Sequence, residues 1–546
     1  MTRRLLPLAL LTLLCTCDDN TAPEPTPPNP QHVSVLTQHN DNTRAGWNAD
    51  ETALTTSNVN VDHFGALFTL AVDDQVYAQP LVIGGLPLDN DSRNVVYVAT
   101  VNNTVYAFDG EDGTLYWQKN FTAAGMRPPR NTDMSGACGG GYTDFSGNIG
   151  IVGTPVIDAG RSTIYFVTRS TNGTLFVQHL HAVDVYTGAE LAGSPVALSA
   201  TYPGSGDGSV NGTITFDPQK QNQRQALTLV NGVVYISFSS HCDWGPYHGW
   251  ILGYDASTLA QRSVYNDTPE GYGGGMWESG MGMAADDAGN LYALSGNGTV
   301  GLPNVAAAPI NRAESALKLA PAGSTLEIRS YFTPTNFQFA NDQDLDYGSM
   351  GSLLIKGAPY FFTGGKDGNL YLLNQNDMGA WSASHNQNQQ VITLGAGANM
   401  HCQAAFYWGS ADTFVYVWSE NDPLRAIPFN RATNMLDIGA EIANVQGGPT
   451  GQSGAMLSVS SNGQDDATGI LWAAYARSGD AEHDVSPGIL RAFDAHDVSK
   501  ELWNSRQNAT RDDVGMYAKF ASPTIANGHV YLPTFSNRVV VYGLLP

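Results

Sequence analysis

Residues 94–117 read NVVYVATVNNTVYAFDGEDGTLYW: an apolar strand, a short turn, a second apolar strand, and an acidic turn that opens a third. The pattern returns as TIYFVTR with LHAVDVYTGAEL, VVYISFS with ILGYDASTL, LYALSGN, PYFFTGG with LYLLNQNDMGAW, FVYVWSE, ILWAAYA with LRAFDAHDVSKELW, and HVYLPTF with RVVVYGL. Its central aromatic falls at Tyr97, Tyr165, Tyr235, Tyr292, Tyr360, Tyr416, Trp472 and Tyr531. A period of roughly 55 to 70 residues marks a repeat architecture. Units of four short antiparallel strands close radially, so the anchors predict an all-β, eight-bladed β-propeller.

The last unit reaches Pro546 before its outermost strand. FGALFTL (Phe64–Leu70) is the candidate for that strand, and its pairing with the final blade would close the ring and remove an exposed edge. The predicted organisation is a signal peptide with a lipobox over 1–17, a flexible Pro-rich tether over 18–38, and a single propeller domain over 39–546.

Composition narrows the partners. A formal net charge of -24 and a pI of about 4.6 argue against nucleic acid and anionic lipid, because counterion release needs Lys and Arg. With 59 glycines, 14% charged residues and 42% hydrophobic residues, the chain is a turn-rich β protein able to fill a core. Arg3 and Arg4 precede an apolar run, Leu5 to Leu14, that is too short to span a bilayer and suits a signal peptide. Leu14-Cys15-Thr16-Cys17 resembles a bacterial lipobox with Cys17 as the lipidated residue, followed by DDNTAPEPTPPNP as an extended tether. That reading places the protein in the bacterial cell envelope, on the periplasmic side, touching membrane only through the anchor; an ordinary cleaved secretory signal is the alternative. Asp18 resembles a signal for retention in the inner membrane. Cys138, Cys242 and Cys402 then remain, an odd number that leaves at least one thiol unpaired in a monomer.

In such blades the loops leading into the innermost strand and those between strands two and three emerge on one face. They include SSHCDWGPYHGW (239–250), GGMWESGMG (274–282), SGNGT (295–299), DLDYGSMGS (344–352), GGKDG (364–368), NMHCQA (399–404), SENDP (419–423) and MYAKFASP (516–523). Loops held by a rigid scaffold commonly carry binding residues, although Gly and Asp in a stretch such as GGKDG also serve simply to make turns. The dipeptides His241-Cys242 and His401-Cys402 share this face without finger-like spacing, so a disulfide or buried thiols is favoured over a soft-metal site. The sequence carries no phosphate-binding Gly-Lys-Ser loop, c-type haem attachment sequence or nucleophile elbow.

These loops resemble those of the quinoprotein alcohol dehydrogenase superfamily, eight-bladed propellers that hold pyrroloquinoline quinone (PQQ) and calcium on the axis. The similarity runs from HNDNTRAGWNADETALTTSNV (39–59) to the final blade. Within GGMWESGMGMAADDAGNLYALSGNG (274–298) it implies Trp277 as the aromatic floor beneath the quinone and Asn297 as a calcium ligand. DLDYGSMGSLL followed by GGKDGNLYLLN implies Lys366 as a donor to the quinone oxygens. SSHCDWGPYHGWILGYD puts His248 where the family has a quinone-binding Arg, and Asp243 near its carboxylate ligand to calcium. Cys138 followed by Gly139 stands in place of the family's paired adjacent cysteines over the cofactor, and Glu314 stands in the segment that would supply the catalytic base. The resemblance implies a PQQ- and calcium-dependent dehydrogenase of a small alcohol or sugar that passes electrons to an external acceptor. The missing cysteine pair and substituted acid favour the alternative, a noncatalytic propeller binding a protein or glycan on the same face.

Overall fold

The computed structural model describes residues 32–546 apart from 89, 303–307, 309, 387–389 and 396. Eight small antiparallel sheets form the blades. Blade 1 runs from the axis outward as Leu81–Leu88, Asp91–Ala99, Thr104–Asp109 and Leu115–Asn120. Blade 8 has Thr524–Ala526, His529–Pro533 and Arg538–Leu544 from the C-terminus and takes its outermost strand, Phe64–Ala71, from the N-terminal region. Phe64 faces Leu544 and Ala71 faces Arg538, with a bulge between Ala66 and Phe68, so FGALFTL closes the ring.

The repeated aromatics all lie in second strands, and their geometry explains why the sequence repeats tyrosine. The middle strands are sandwiched between neighbouring blades, which is why they read as continuous apolar runs rather than alternating ones. One cluster joins Tyr165 and Val167 of blade 2 to Val234 and Ile236 of blade 3. A tyrosine in that interface fills the apolar gap with its ring and must find a partner for its hydroxyl. Tyr97, Tyr165, Tyr416 and Tyr531 each donate to a carbonyl in a turn of the following blade: Val185 at 3.1 Å, Ala256 at 2.6 Å, Ala495 at 2.5 Å and Gly110 at 3.1 Å. The last of these stitches blade 8 to blade 1.

A second closure was not anticipated from the sequence. The segment Val35–Asn48 forms a hub that hydrogen-bonds the innermost strand of every blade, at 2.7–2.9 Å. Val35 pairs with Val82, Leu36 with Ile157, Asn42 with Leu229 and Ala285, Thr43 with Leu354, Ala45 with Phe406, Gly46 with Val459, and Asn48 with Ile525. Trp47–Asn48 also adds a short parallel strand to blade 7. Residues 32–38, assigned to the tether by composition, are therefore part of the domain; Val35 is buried. The remainder of that tether, the signal segment and Cys17 lie outside the described residues. Among the described residues no helix is long and apolar enough to cross a membrane.

Candidate functional site

At the hub, the axial channel is sealed. Arg44 is fully buried, and its guanidinium donates to Thr37 Oγ1, Gln38 O, Leu227 O, Thr228 Oγ1 and Met283 O at 2.8–3.3 Å. Burial lowers its pKa to about 10, yet its donors are well used. Beside it, Gln403 Nε2 donates to Ser279 O at 2.6 Å and to Phe520 O at 3.0 Å. His39 Nε2 meets Ser522 Oγ at 2.9 Å. These bonds fix from below the turn that carries Trp277 and the loop that carries Phe520.

Above that layer the channel opens into a cavity of about 210 Å3 whose walls include Trp277, Phe520, Arg224, Lys366, Lys519 and His401. The Arg224 guanidinium lies 5.4 Å from the centre of the Trp277 ring and 4.4 Å from that of Phe520. It donates to Trp277 O at 3.1 Å, while its buried Nε has no partner among the described residues. Burial lowers Arg224 to about 10 and Lys519 to about 8, the latter opposed by Asp144. Lys366 Nζ sits 2.6 Å from Asp346 and 3.2 Å from Asp344; burial opposes its charge, but these carboxylates dominate and raise its pKa. Gly296 lets this wall close up, since a Cβ there would stand 2.1 Å from Asp346 Oδ1 and 2.8 Å from Trp277 Cδ1.

The sequence-assigned residues divide. Trp277, Lys366, Asp243 and Cys138 all line the axial cavity. Asn297 instead faces an adjoining open cleft of about 530 Å3, which shares Asp243 and Asp344 with the axial cavity and also contains Asp207, Tyr247 and Tyr272. Its main-chain N–H donates to Asp346 at 2.8 Å, its side-chain amide donates to Asp344, and its Oδ1 is buried without a partner among the described residues. Asp243 accepts from Tyr247 OH, and desolvation with the nearby Asp346 raises it to about 7.

Two assignments need correction. His248 is not part of either cavity's lining: its Nδ1 meets Thr268 Oγ1 at 2.9 Å and its Nε2 meets Asp207 O at 2.8 Å, so both ring nitrogens hold loops together. Glu314 is fully buried and likewise outside both linings; its backbone has φ +50° and its Oε2 accepts from Tyr347 N at 2.8 Å. Burial and Asp346 raise its pKa, and its position outside both linings makes it a structural acid rather than a base facing the pocket.

Sequence reasoning missed Arg224 and Lys519, and it read His401 beside Cys402 without its pairing to Glu420. Lys519, His401 and Glu420 stand in loops assigned to the site face but carry no motif, and Arg224 lies in QNQRQA (221–226), where nothing signals a site. The cysteine reading resolves into one disulfide, Cys138–Cys242, across 104 residues, with Cys402 a buried free thiol. The bridge ties the loop after blade 1 to blade 3 at the exposed mouth of the cavity.

The lining offers a flat aromatic ligand two rings and orphaned donors at Arg224 Nε and Trp277 Nε1; Lys519 already donates to Glu482 O, and Asp144, Asp243, Asp344, Asp346 and Glu482 share the wall with the three cations. Lys366 already offsets Asp344 and Asp346, and among the described residues no group of three or more His, Cys, Asp or Glu is disposed to hold a metal ion.

A family profile described as outer membrane protein assembly factor BamB matches residues 40–137. No curated protein matches the chain by sequence. Among solved structures, quinohemoprotein alcohol dehydrogenase from Comamonas testosteroni is similar over 93% of this chain and 80% of its own, at 13% identity and TM-score 0.58. A quinohemoprotein alcohol dehydrogenase from Pseudomonas putida HK5 is similar over 94% and 80%, at 14% identity and TM-score 0.56. A europium-containing methanol dehydrogenase is similar over 94% and 98%, at 13% identity and TM-score 0.54. At such identities the likeness speaks for architecture, and this chain has the PQQ-binding-like, eight-bladed propeller fold of the quinoprotein alcohol dehydrogenases.

Proposed function

We propose that the axial cavity binds a planar polyanionic quinone of the PQQ class, and that the protein uses it to oxidise a small alcohol or sugar and hand the electrons to an external acceptor. The observation that carries this reading is the joining of Trp277 and Phe520 with Arg224, whose buried Nε has no partner among the described residues, in one pocket. A bound quinone of this class supplies a two-electron acceptor for the carbinol hydride. The protein's part is to stack the flat ring, neutralise carboxylates with its cations, and exclude bulk water through the hub below. Arg224 in particular has a buried N–H with no partner among the described residues, a cost of about 1–3 kcal/mol that an anionic ligand would remove.

Calcium has no part in this reading, because Lys366 stands where a cation would be needed. Calorimetric titration of the purified protein with PQQ, once with calcium and once with chelator, tests both points. Saturable binding in both arms is expected. Absence of binding in either would leave the second reading, a noncatalytic propeller whose face takes a protein or glycan, which the partial match to an assembly factor favours. Binding in the calcium arm alone would restore the ion.

We place the protein on the periplasmic side of the envelope, anchored through Cys17, on the strength of the short apolar run and the Pro-rich stretch after it. Cys17→Ala should move it from the membrane to the soluble fraction; equal membrane association of the variant would refute the anchor.

A further inference from the structure

Two histidines of the axial cavity stand beside carboxylates, the exposed His483 with Asp144 at 3.2 Å and the buried His401 with Glu420. His401 lines the cavity, is only 7% exposed, and its Nδ1 lies 3.1 Å from Glu420 Oε1. Among the described residues its ring makes one hydrogen-bond contact, that of Nδ1 with Glu420. Ser349 Oγ donates to the neighbouring Met400 O at 2.7 Å, and Glu420 N donates to Asn399 O at 3.3 Å, so both loops are held at their bases. Glu314, the acid in the segment expected to supply the base, is engaged with Tyr347 elsewhere.

We propose that His401 and Glu420 form the proton-accepting pair of this pocket, with His401 Nε2 taking the hydroxyl proton of the substrate alcohol. The assignment rests on the dehydrogenase reading above. In the step, the substrate O–H bond breaks as an N–H bond forms at Nε2. The positive charge on the imidazole is met by the Glu420 carboxylate at Nδ1. The carbinol hydrogen leaves with its electron pair to the quinone-class oxidant, and a carbonyl product remains. A His oriented by a carboxylate is a suitable base for such a transfer, one that contributes about 100-fold or more to rate.

The electrostatics set the pH range. Burial lowers His401 to about 3, helped by Lys366 and Arg224 and opposed by Asp346 and Asp344. Burial raises Glu420 to about 8, with Asp480 adding and Lys366 opposing; Cys402 and Tyr517 are also near it. The imidazole is thus neutral across the working range, and the pair loses its shared proton as pH rises through about 8. Below that point Glu420 is the donor to Nδ1, and Nε2 carries the proton. Above it Nδ1–H donates to Glu420, and the lone pair of Nε2 faces the pocket. Turnover should therefore rise with pH to a plateau above about 8.

Two measurements test this on the full chain. Nitrogen NMR of labelled histidines, assigned with His401→Gln and made without cofactor, should show His401 neutral throughout and moving its proton from Nε2 to Nδ1 across about pH 8. Glu420→Gln should abolish that switch. In the PQQ-loaded protein the same variant should lower kcat about 100-fold or more and flatten its pH profile, with KM and PQQ affinity changed less than about two-fold. A variant that keeps the wild-type profile, or a His401 that shows no switch, would overturn the pair while leaving quinone binding intact. Wild-type protein that binds no PQQ would instead remove the dehydrogenase reading and the proton step with it.

Discussion

Arg44, fully buried, and Arg224, partly buried with its Nε enclosed, are each lowered to about 10 by desolvation, and they differ in what their donors reach. Arg44, at the hub, spends its guanidinium on five oxygens drawn from the N-terminal segment and blades 3 and 4. Arg224, at the opposite end, donates from its guanidinium to a single carbonyl and otherwise lies against two aromatic rings. Desolvation of a cation is costly in both places; at the hub protein oxygens accept from every guanidinium nitrogen, whereas Asp144, Asp346 and Glu482 support Arg224 through their charge alone. The satisfied arginine belongs to stability. The under-satisfied one is where the proposed ligand would supply the missing acceptor.

The contrast breaks most visibly if the hub is taken away. Deleting residues 1–48 leaves the closing strand Phe64–Ala71 in place but removes the contacts that join all eight blades. It should cost on the order of 5 kcal/mol or more, taking about 1 kcal/mol for each lost hydrogen bond. Deleting 1–31 should be close to neutral, and equal urea midpoints for the two truncations would show that the hub is ornamental. Arg44→Met comes next, with an expected loss of about 3 kcal/mol in the same assay because several buried acceptors lose their donor. The smallest effect on stability should come from Arg224→Met. It should shift unfolding by less than about 1 kcal/mol, in either direction, yet weaken PQQ at least about ten-fold in calorimetry, as expected for loss of a charge-assisted contact. A stability loss matching that of Arg44→Met would erase the distinction between the two ends.

What the sequence made legible follows from periodicity. The aromatics repeat because each fills the same gap between blades, and FGALFTL stood out because the last blade lacked a strand. The hub stayed hidden since Val35–Asn48 meets eight different partners once each, so no period exists to be read. In the site, Trp277 and Lys366 were reachable through glycine-rich loop patterns that constrain the backbone around them. Arg224 was not, because its role comes from burial against Trp277 and Phe520, residues 53 and 296 positions away. His248 and Glu314 were misplaced for the converse reason: an aligned position does not say which way a side chain turns, and Glu314, at φ +50°, turns toward Tyr347 N.

The hub also sets the order in which this molecule can be made. Val35–Asn48 leaves the ribosome before any blade exists, but its contacts with Val459 and Ile525 join residues more than 400 positions apart. Phe64–Ala71 must likewise wait for Arg538–Leu544. Pairings this distant in sequence fold slowly, and until the final blade arrives the early blades stand with open edges and an empty axis. Biogenesis of the propeller is therefore a holding problem before it is a folding problem. The growing chain depends on protection from edge-to-edge association until its two ends meet.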